Sequence, residues 1–336
     1  MNILFTCAGR RNYLINYFKE ALKGQGLVIA TDMQKSAPAM VDADKSFIVP
    51  VIYANNYIDS LIDIIKKENI KAVISLNDLE LPLLSENKEK IEKTGAKVLV
   101  ASKQAIDIAF DKSKTVDFLI KYKLKSPKTY TVLTEAIEAI NKGELLFPLV
   151  IKPRWGSASI GIDFPEDMEE LKLAYQLQKK RLERTILKEA SKSDSENAIL
   201  IQEKIEGREF GIDILNDFKG NYLGTFVREK LAMRSGETDK AISIIDSRFE
   251  TIGKIIGENL NHVGNLDCDI LERDGELYVL ELNPRFGGGY PFSHESGIDT
   301  PAIYIDWLKG NTDIQKHINY KAGVMFSKCD RLLKVN

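Results

Sequence analysis

Four oxygen-bearing side chains near the end of the chain raise the first chemical question. Asp267, Asp269, Glu281 and Asn283 lie in residues 265–285, where Asp274-Gly275 separates two apolar-rich runs. An Asp-Gly pair in that setting is a two-residue hairpin signal, since the favoured turn needs positive φ at both positions. Side chains alternate along a strand, so Glu281 and Asn283 share a face, and so do Asp267 and Asp269. Such oxygens aimed at one spot, with no His or Cys at ligand spacing, suit a hard cation such as Mg²⁺. Mg²⁺ keeps several waters and binds substrate phosphates. Arg285, two residues past Asn283, could meet the same phosphates, and Pro284 should end the strand. An exposed hairpin with ordinary surface acids would read the same way, so the rest of the chain must supply a nucleotide site.

A second constellation lies upstream. Phe147-Pro-Leu-Val-Ile-Lys-Pro153 is an apolar strand that ends in Lys152, and Arg154-Trp-Gly-Ser-Ala-Ser-Ile-Gly161 follows directly. Small residues let a backbone approach a phosphate and point its N–H groups at it. Ser157 and Ser159 add hydroxyl donors. No Gly-Lys-Ser/Thr follows, so this is not a Walker loop. A flexible hairpin turn is the plain alternative, and the lysine directly before the loop favours phosphate. Further upstream, Asp111-Lys112 opens a helix, with Asp111 as the cap and Lys112 at the positive end.

These residues need a scaffold. Strands at residues 3–6, 27–31, 47–50, 72–75 and 98–100 alternate with helices at 13–22, 56–68 and 79–93. That pattern implies a mostly parallel sheet whose strand-end loops gather ligands, here 7–11, Asp32 and 77–80. Gly9 stands alone where a dinucleotide fingerprint needs three glycines. Arg10 and Arg11 could bind an anionic substrate or could be solvated surface. Residues 128–152 read as strand-helix-strand, 166–189 as a polar amphipathic helix, and 199–205, 206–214 and 222–228 as consecutive antiparallel strands. The helix at 301–309 and a strand at 320–327 should complete the C-terminal core.

At 336 residues more than one domain is expected. A chain 44% apolar and 29% charged is globular, and a net charge of -2 gives no electrostatic case for nucleic acid or an acidic membrane. No run approaches the ~18 apolar residues of a membrane span. The N-terminus lacks signal-peptide blocks and reads as a first strand. Cys7, Cys268 and Cys329 are isolated, which favours a reducing cytoplasm.

In this order, Lys112, Lys152-Pro153 with its small-residue loop, Gln202-Glu-Lys-Ile-Glu-Gly-Arg-Glu209 and Glu281-Leu-Asn-Pro-Arg285 resemble the ATP-grasp superfamily. The likeness is nearest to stand-alone relatives of the carbamoyl-phosphate synthase large subunit, and it covers nearly the whole chain. It implies an α/β and α+β fold: a Rossmann-like pre-ATP-grasp parallel sheet (1–106), then an ATP-grasp fold of a small subdomain with its linker helix (107–205) and a large subdomain with a C-terminal extension (206–336), with ATP held between the subdomains. By this resemblance Lys112 and Lys152 hold ATP phosphates, and Trp155, Gly156, Ser157, Ala158 and Ser159 belong to the loop that closes over them. Gln202, Glu203, Lys204 and Ile205 form the hinge facing adenine, read by the Lys204 carbonyl and the Ile205 N–H, and Glu209 binds the ribose. Glu281 and Asn283 hold Mg²⁺, or Mn²⁺ in its place, with Asp267, or Asp269 two residues on, as the third ligand. Arg285, Arg228, Lys230 and Arg234 meet the transferred phosphate and the acyl substrate, the last three from a basic stretch (227–240) read as a mobile loop.

Family members mostly make an acyl phosphate from a carboxylate and ATP, which an amine then attacks. The expected activity is an ATP-dependent carboxylate–amine ligase releasing ADP and phosphate. It needs no covalent protein nucleophile, which agrees with the lack of a Ser/His or Cys/His constellation. Carbamoyl phosphate synthesis needs two phosphorylations and is not expected from one grasp unit, and the biotin-site residues of biotin carboxylase are not matched. A carboxyphosphate-forming carboxylase and a non-catalytic ATP-binding protein are the alternatives. Partners are a small carboxylate and an amine, with a homodimer implied by the family. Residues 286–299 should shape the substrate pocket, with His294 either a base for the amine or a structural loop histidine.

Overall fold

The computed structural model describes residues 1–156 and 161–335. It divides into two compact units, one comprising residues 1–106, 211–267 and 283–336, the other 107–210 and 268–282. Within the first unit, β1 (Asn2–Thr6), β2 (Val28–Asp32), β3 (Lys45–Ile48), β4 (Ile70–Ser75) and β5 (Lys97–Val98) form a parallel sheet in the order β3-β2-β1-β4-β5. The central strand is apolar on both faces, with Ile3, Leu4 and Phe5 all buried. That is the signature of a parallel sheet covered on both sides. The helix Asn12–Leu22 buries Leu14, Ile15, Phe18 and Leu22 on one face, and Phe18 meets Phe5 edge-on at 4.9 Å.

The loops at the carboxyl ends of these strands are fastened by side chains. The Asp32 carboxylate accepts the Gly9 N–H at 2.9 Å. Glu80 is fully buried and accepts three hydroxyls, from Thr6 (2.7 Å), Tyr57 (2.6 Å) and Ser75 (2.5 Å). Burial raises its proton affinity, and these hydrogen bonds oppose the rise. The segment 77–80 is thereby held rigid at the end of β4.

In the second unit, β6 (Thr129–Tyr130), β7 (Leu149–Pro153) and β8 (Ile199–Glu203) form an antiparallel sheet in the order β6-β8-β7. The remaining strands are β9 (Arg208–Asn216), β10 (Tyr222–Arg234), β11 (Glu237–Ile244), β12 (Gly264–Arg273), β13 (Glu276–Asn283) and β14 (Met325–Ser327), ordered β13-β12-β9-β10-β11-β14. Among the described residues no helix is long and apolar enough to cross a membrane.

Several local expectations change. The helix expected over 79–93 is two, Leu81–Glu86 and Lys88–Glu92. The Asn87 amide between them donates back to the Leu83 carbonyl at 2.9 Å, a side-chain bond that competes with continuing the helix. The basic stretch 227–240 is a long antiparallel hairpin of β10 and β11 rather than a loop. Its turn, Ser235-Gly236, takes positive φ at both residues (51° and 78°), as a two-residue hairpin requires. At the C-terminal end, among the described residues of 320–327, Met325–Ser327 forms a strand that pairs with β11.

Candidate active site

Two candidate lysines lie in the second unit, and a clamp positions them. β7 delivers Lys152 at its end, and the helix Lys112–Lys121 starts with Lys112. Asp111 caps that helix, accepting the Ser113 N–H at 3.0 Å. The same carboxylate receives two guanidinium bonds from Arg154, both 2.7 Å, while a third Arg154 nitrogen reaches Asp194 at 2.8 Å. Burial would raise the Asp111 carboxyl, but the Arg154 and Ser113 hydrogen bonds outweigh it and hold it below the usual range. The Lys112 N–H also donates to the Arg154 carbonyl at 3.3 Å. The strand end and the helix start are therefore fixed together, and both lysines are only 9% exposed.

Lys112 donates to the Gly156 carbonyl at 2.5 Å and stands 4.0 Å from the Glu281 carboxylate. For Lys152, no acceptor lies within hydrogen-bonding distance among the described residues. Burial and the like charge of Lys112 push it down to about 8, against the pull of Glu281 and Asp269. Two adjoining buried ammonium groups with so little compensation fit an anion such as a phosphate. Trp155 is buried beneath the Arg154 guanidinium, 4.4 Å from its ring centre. Ser157, Ala158 and Ser159 lie outside the described residues.

The β12–β13 hairpin turns at Asp274-Gly275 with φ of 54° and 80°, and β13 ends at Asn283, before Pro284. Along β13, Leu277, Val279 and Leu282 are buried, while Glu281 between them is partly exposed. Glu281 and Asp269 both act on Lys152, each favouring its charged form.

At the end of β8, the Gln202 amide donates to the Thr129 hydroxyl at 2.7 Å and is buried. Glu203 is engaged by Arg273 at 2.9 Å, and Lys204 by Glu206 at 2.9 Å. Past the end of β8, the Lys204 carbonyl and the Ile205 N–H have no backbone partner among the described residues. Glu209 is half-buried on β9.

The first unit holds the arginines. Arg285 donates to Asp78 at 2.5 Å and to the Phe286 carbonyl at 3.1 Å, and lies 3.8 Å from Asp267. Arg228 is 1% exposed and bonded to Asp213 (2.5 Å), Asp267 (2.6 Å) and Ser293 (3.2 Å). Asp213 also accepts from Asn265 (2.8 Å) and Ser293 (2.6 Å). Asp267 thus lies between two guanidinium groups. A Cβ on Gly287 would come within 2.1 Å of its carboxyl carbon, so the backbone there has room only for glycine. Lys230 is half-buried on β10, and Arg234 makes exposed ion pairs with Asp239 (2.9 Å) and Asp330 (2.7 Å). His294 stacks on Tyr17 at 3.7 Å and stands 3.2 Å from the Tyr290 hydroxyl, so it packs as a structural ring. Burial pushes its imidazole down.

Sequence reasoning missed Asp78 as the partner of Arg285, although 77–80 stood out as a strand-end loop. Nothing local signalled Asp213, Glu237 or Lys328. Among the described residues no three His, Cys, Asp or Glu could hold a metal ion by themselves. One or two carboxylates and an amide completed by phosphate oxygens is the donor set Mg²⁺ favours, and Asp269, Glu281 and Asn283 fit it.

Residues 3–99 match the family described as PylC-like, N-terminal domain, and residues 195–331 match ATP-grasp in the biosynthetic pathway with Ter operon. The carbamoyl phosphate synthase large chain of Clostridium perfringens (strain SM101 / Type A) is 27% identical over 317 residues, which is 90% of this chain and 28% of that protein. The chain thus spans under a third of that relative's length. The biotin carboxylase domain of Hydrogenobacter thermophilus 2-oxoglutarate carboxylase, solved as a dimer with MgADP, ADP and bicarbonate, superposes with a TM-score of 0.71 at 16% identity, covering 93% of this chain and 70% of that one. The L-amino acid ligase of Bacillus licheniformis gives 0.65 at 19% identity, covering 94% and 75%. At these identities the structural likeness is one of fold. Residues 195–331 thus match an ATP-grasp family, the chain is similar to the synthase over nine-tenths of its length, and its fold is the ATP-grasp fold.

Proposed function

We propose that this protein is an ATP-dependent ligase that activates a carboxylate as an acyl phosphate and couples it to an amine, releasing ADP and phosphate. The observation that carries the reading is the pair of buried lysines, Lys112 and Lys152, set against Glu281 and Asp269. In this reading the lysines neutralise the ATP phosphates, and the Lys204 carbonyl and Ile205 N–H take the adenine edge, with Glu209 at the ribose. Glu281, Asn283 and Asp269 would hold Mg²⁺, which supplies charge stabilisation on the transferring phosphoryl group. Arg285, oriented by Asp78, holds the reacting carboxylate. Lys230 is the remaining candidate on β10 for the acyl phosphate. Arg228 acts through Asp267, as a positioning residue.

The test is ADP release with Mg²⁺ and ATP against a panel of carboxylates and bicarbonate, each with and without amines. Release that needs both a carboxylate and an amine supports the ligase. Release with bicarbonate alone moves the reading to a carboxyphosphate-forming carboxylase. ATP binding without release for any pair sinks the ligase claim.

The lysine pair also sets a pH dependence. With Lys152 at about 8 in the free protein, it is charged below that pH and neutral above it. A bound phosphate favours the charged form, so above pH 8 binding must take up a proton. ATP affinity should hold steady from pH 7 to 8 and then fall by up to about tenfold per pH unit, a proton linkage of one. Lys152→Arg, whose guanidinium does not titrate, should flatten the profile. Calorimetric titration of ATP between pH 7 and 10 checks this, and an unchanged wild-type affinity at pH 9.5 would contradict it.

A further inference from the structure

The first unit contains an ion cluster that the proposed chemistry does not use. Glu237, the first residue of β11, lies 3.7 Å from Arg11 and 3.4 Å from Lys328. These cations come from separate parts of the chain, Arg11 from the loop after β1 and Lys328 from directly after β14. Arg10 adds to the positive field at Glu237. Burial would raise the Glu237 carboxyl, but Arg11 and Lys328 together bring it below its ordinary value.

Both cations are held in place independently of Glu237. Arg11 donates to the Tyr13 hydroxyl at 3.0 Å, and that hydroxyl donates to the Gly287 carbonyl at 3.2 Å. Lys328 donates to the Gly288 carbonyl at 2.9 Å, and its own N–H is fixed by the Asp239 carbonyl at 2.8 Å. The Arg11 and Lys328 side chains are largely covered, at 19% and 23% exposure, whereas Glu237 is half exposed. Preorganised, partly desolvated cations around a carboxylate that can swing into water describe an anion receptor with a removable occupant. Gly288 makes the close approach possible. A Cβ there would come within 3.1 Å of an Arg11 nitrogen and 3.3 Å of the Glu237 carboxyl carbon. Gly288 is also three residues past Arg285.

We propose that Arg11 and Lys328 form a receptor for a second anionic group on the carboxylate substrate, and that Glu237 fills this receptor until substrate displaces it. The substrate class is a dicarboxylate or a phosphorylated carboxylate, rather than a simple monocarboxylate. Its role in turnover rests on the ligase reading, with Arg285 taking the reacting carboxylate; the receptor itself does not.

The direct test is titration with inorganic phosphate as the probe, in wild type, Glu237→Gln and Glu237→Gln/Lys328→Met. Glu237→Gln should bind phosphate about tenfold more tightly, the effect of freeing one charge-assisted contact. Lys328→Met on that background should abolish the gain, which excludes phosphate binding elsewhere as its source. Equal affinity in wild type and Glu237→Gln, or a gain that survives Lys328→Met, overturns the receptor. In ADP release, Glu237→Gln should lower KM for succinate or O-phosphoserine against propionate or serine by a similar factor, and the better of the two anions names the source. A uniform change across all four carboxylates also overturns it. The phosphate titration reads out without turnover. If it behaves as expected while no carboxylate supports ADP release, the ligase reading fails and the receptor stands. The opposite pattern removes the receptor alone.

Discussion

Glu281→Ala should lower the turnover of ADP release by about a thousandfold, the scale of losing a preorganised group that stabilises transition-state charge. The carboxylate stands 4.0 Å from Lys112 and offsets the charge of Lys152, so it is the acid around which both lysines are arranged. In the proposed site it is also a metal ligand, and neither Asp269 nor Asn283 can move along its strand to replace it. The loss should fall on kcat, with a rise in the Mg²⁺ concentration needed for half-maximal rate. The fold should survive, because Glu281 is partly exposed at the end of a strand and fills no core position. Steady-state ADP release with varied Mg²⁺, beside a urea denaturation curve, separates the two effects. A folded Glu281→Ala protein with near-normal kcat would remove the centre of the functional proposal.

The second large effect is on stability. Arg228→Ala should reduce the free energy of unfolding by about 3–5 kcal/mol, the range for breaking a buried ion pair by removing one partner. The Arg228 and Asp213 side chains are each 1% exposed. Burial, joined by the charge of Asp267, raises the Asp213 carboxyl even against Arg228, Asn265 and Ser293. Without the guanidinium, two buried carboxylates remain in one network with no cation between them. The backbone closes on the same group from both sides, since a Cβ on Gly211 or Gly289 would come within 2.8 Å or 2.3 Å of it. Deletion therefore also opens a cavity. Urea denaturation at pH 7.5 checks the size of the loss, and a change below about 1 kcal/mol, the level of an exposed pair, would show that the network is not a structural keystone. Asp267 also faces Arg285, so turnover should drop in this variant through misplacement of Arg285.

Chemistry that depends on neighbours in sequence was legible from the chain. The Asp274-Gly275 turn, the Asp111 cap, the end of β13 before Pro284 and the apolar runs of the parallel sheet all follow from backbone preferences and side-chain spacing over a few residues. So did the candidate lysines and acids, because their type and order along the chain resemble a known family. The stretch 227–240 reads as a loop by composition, but Ser235-Gly236 takes the positive φ of a two-residue turn and folds it into a hairpin.

The sequence by itself determined which groups could bind phosphate and metal and which strands would carry them. The tertiary structure decided who partners whom. Arg154 clamping Asp111 joins residues 43 apart, Arg285 meets Asp78 across 207, and Glu237 meets Lys328 across 91. It also decided that Asp267 goes to two arginines while Asp269 and Glu281 act on Lys152. Ion pairing depends on separation in space and on the water excluded around it. Neither is a property of any short stretch of chain, so such pairs arise only when the fold closes.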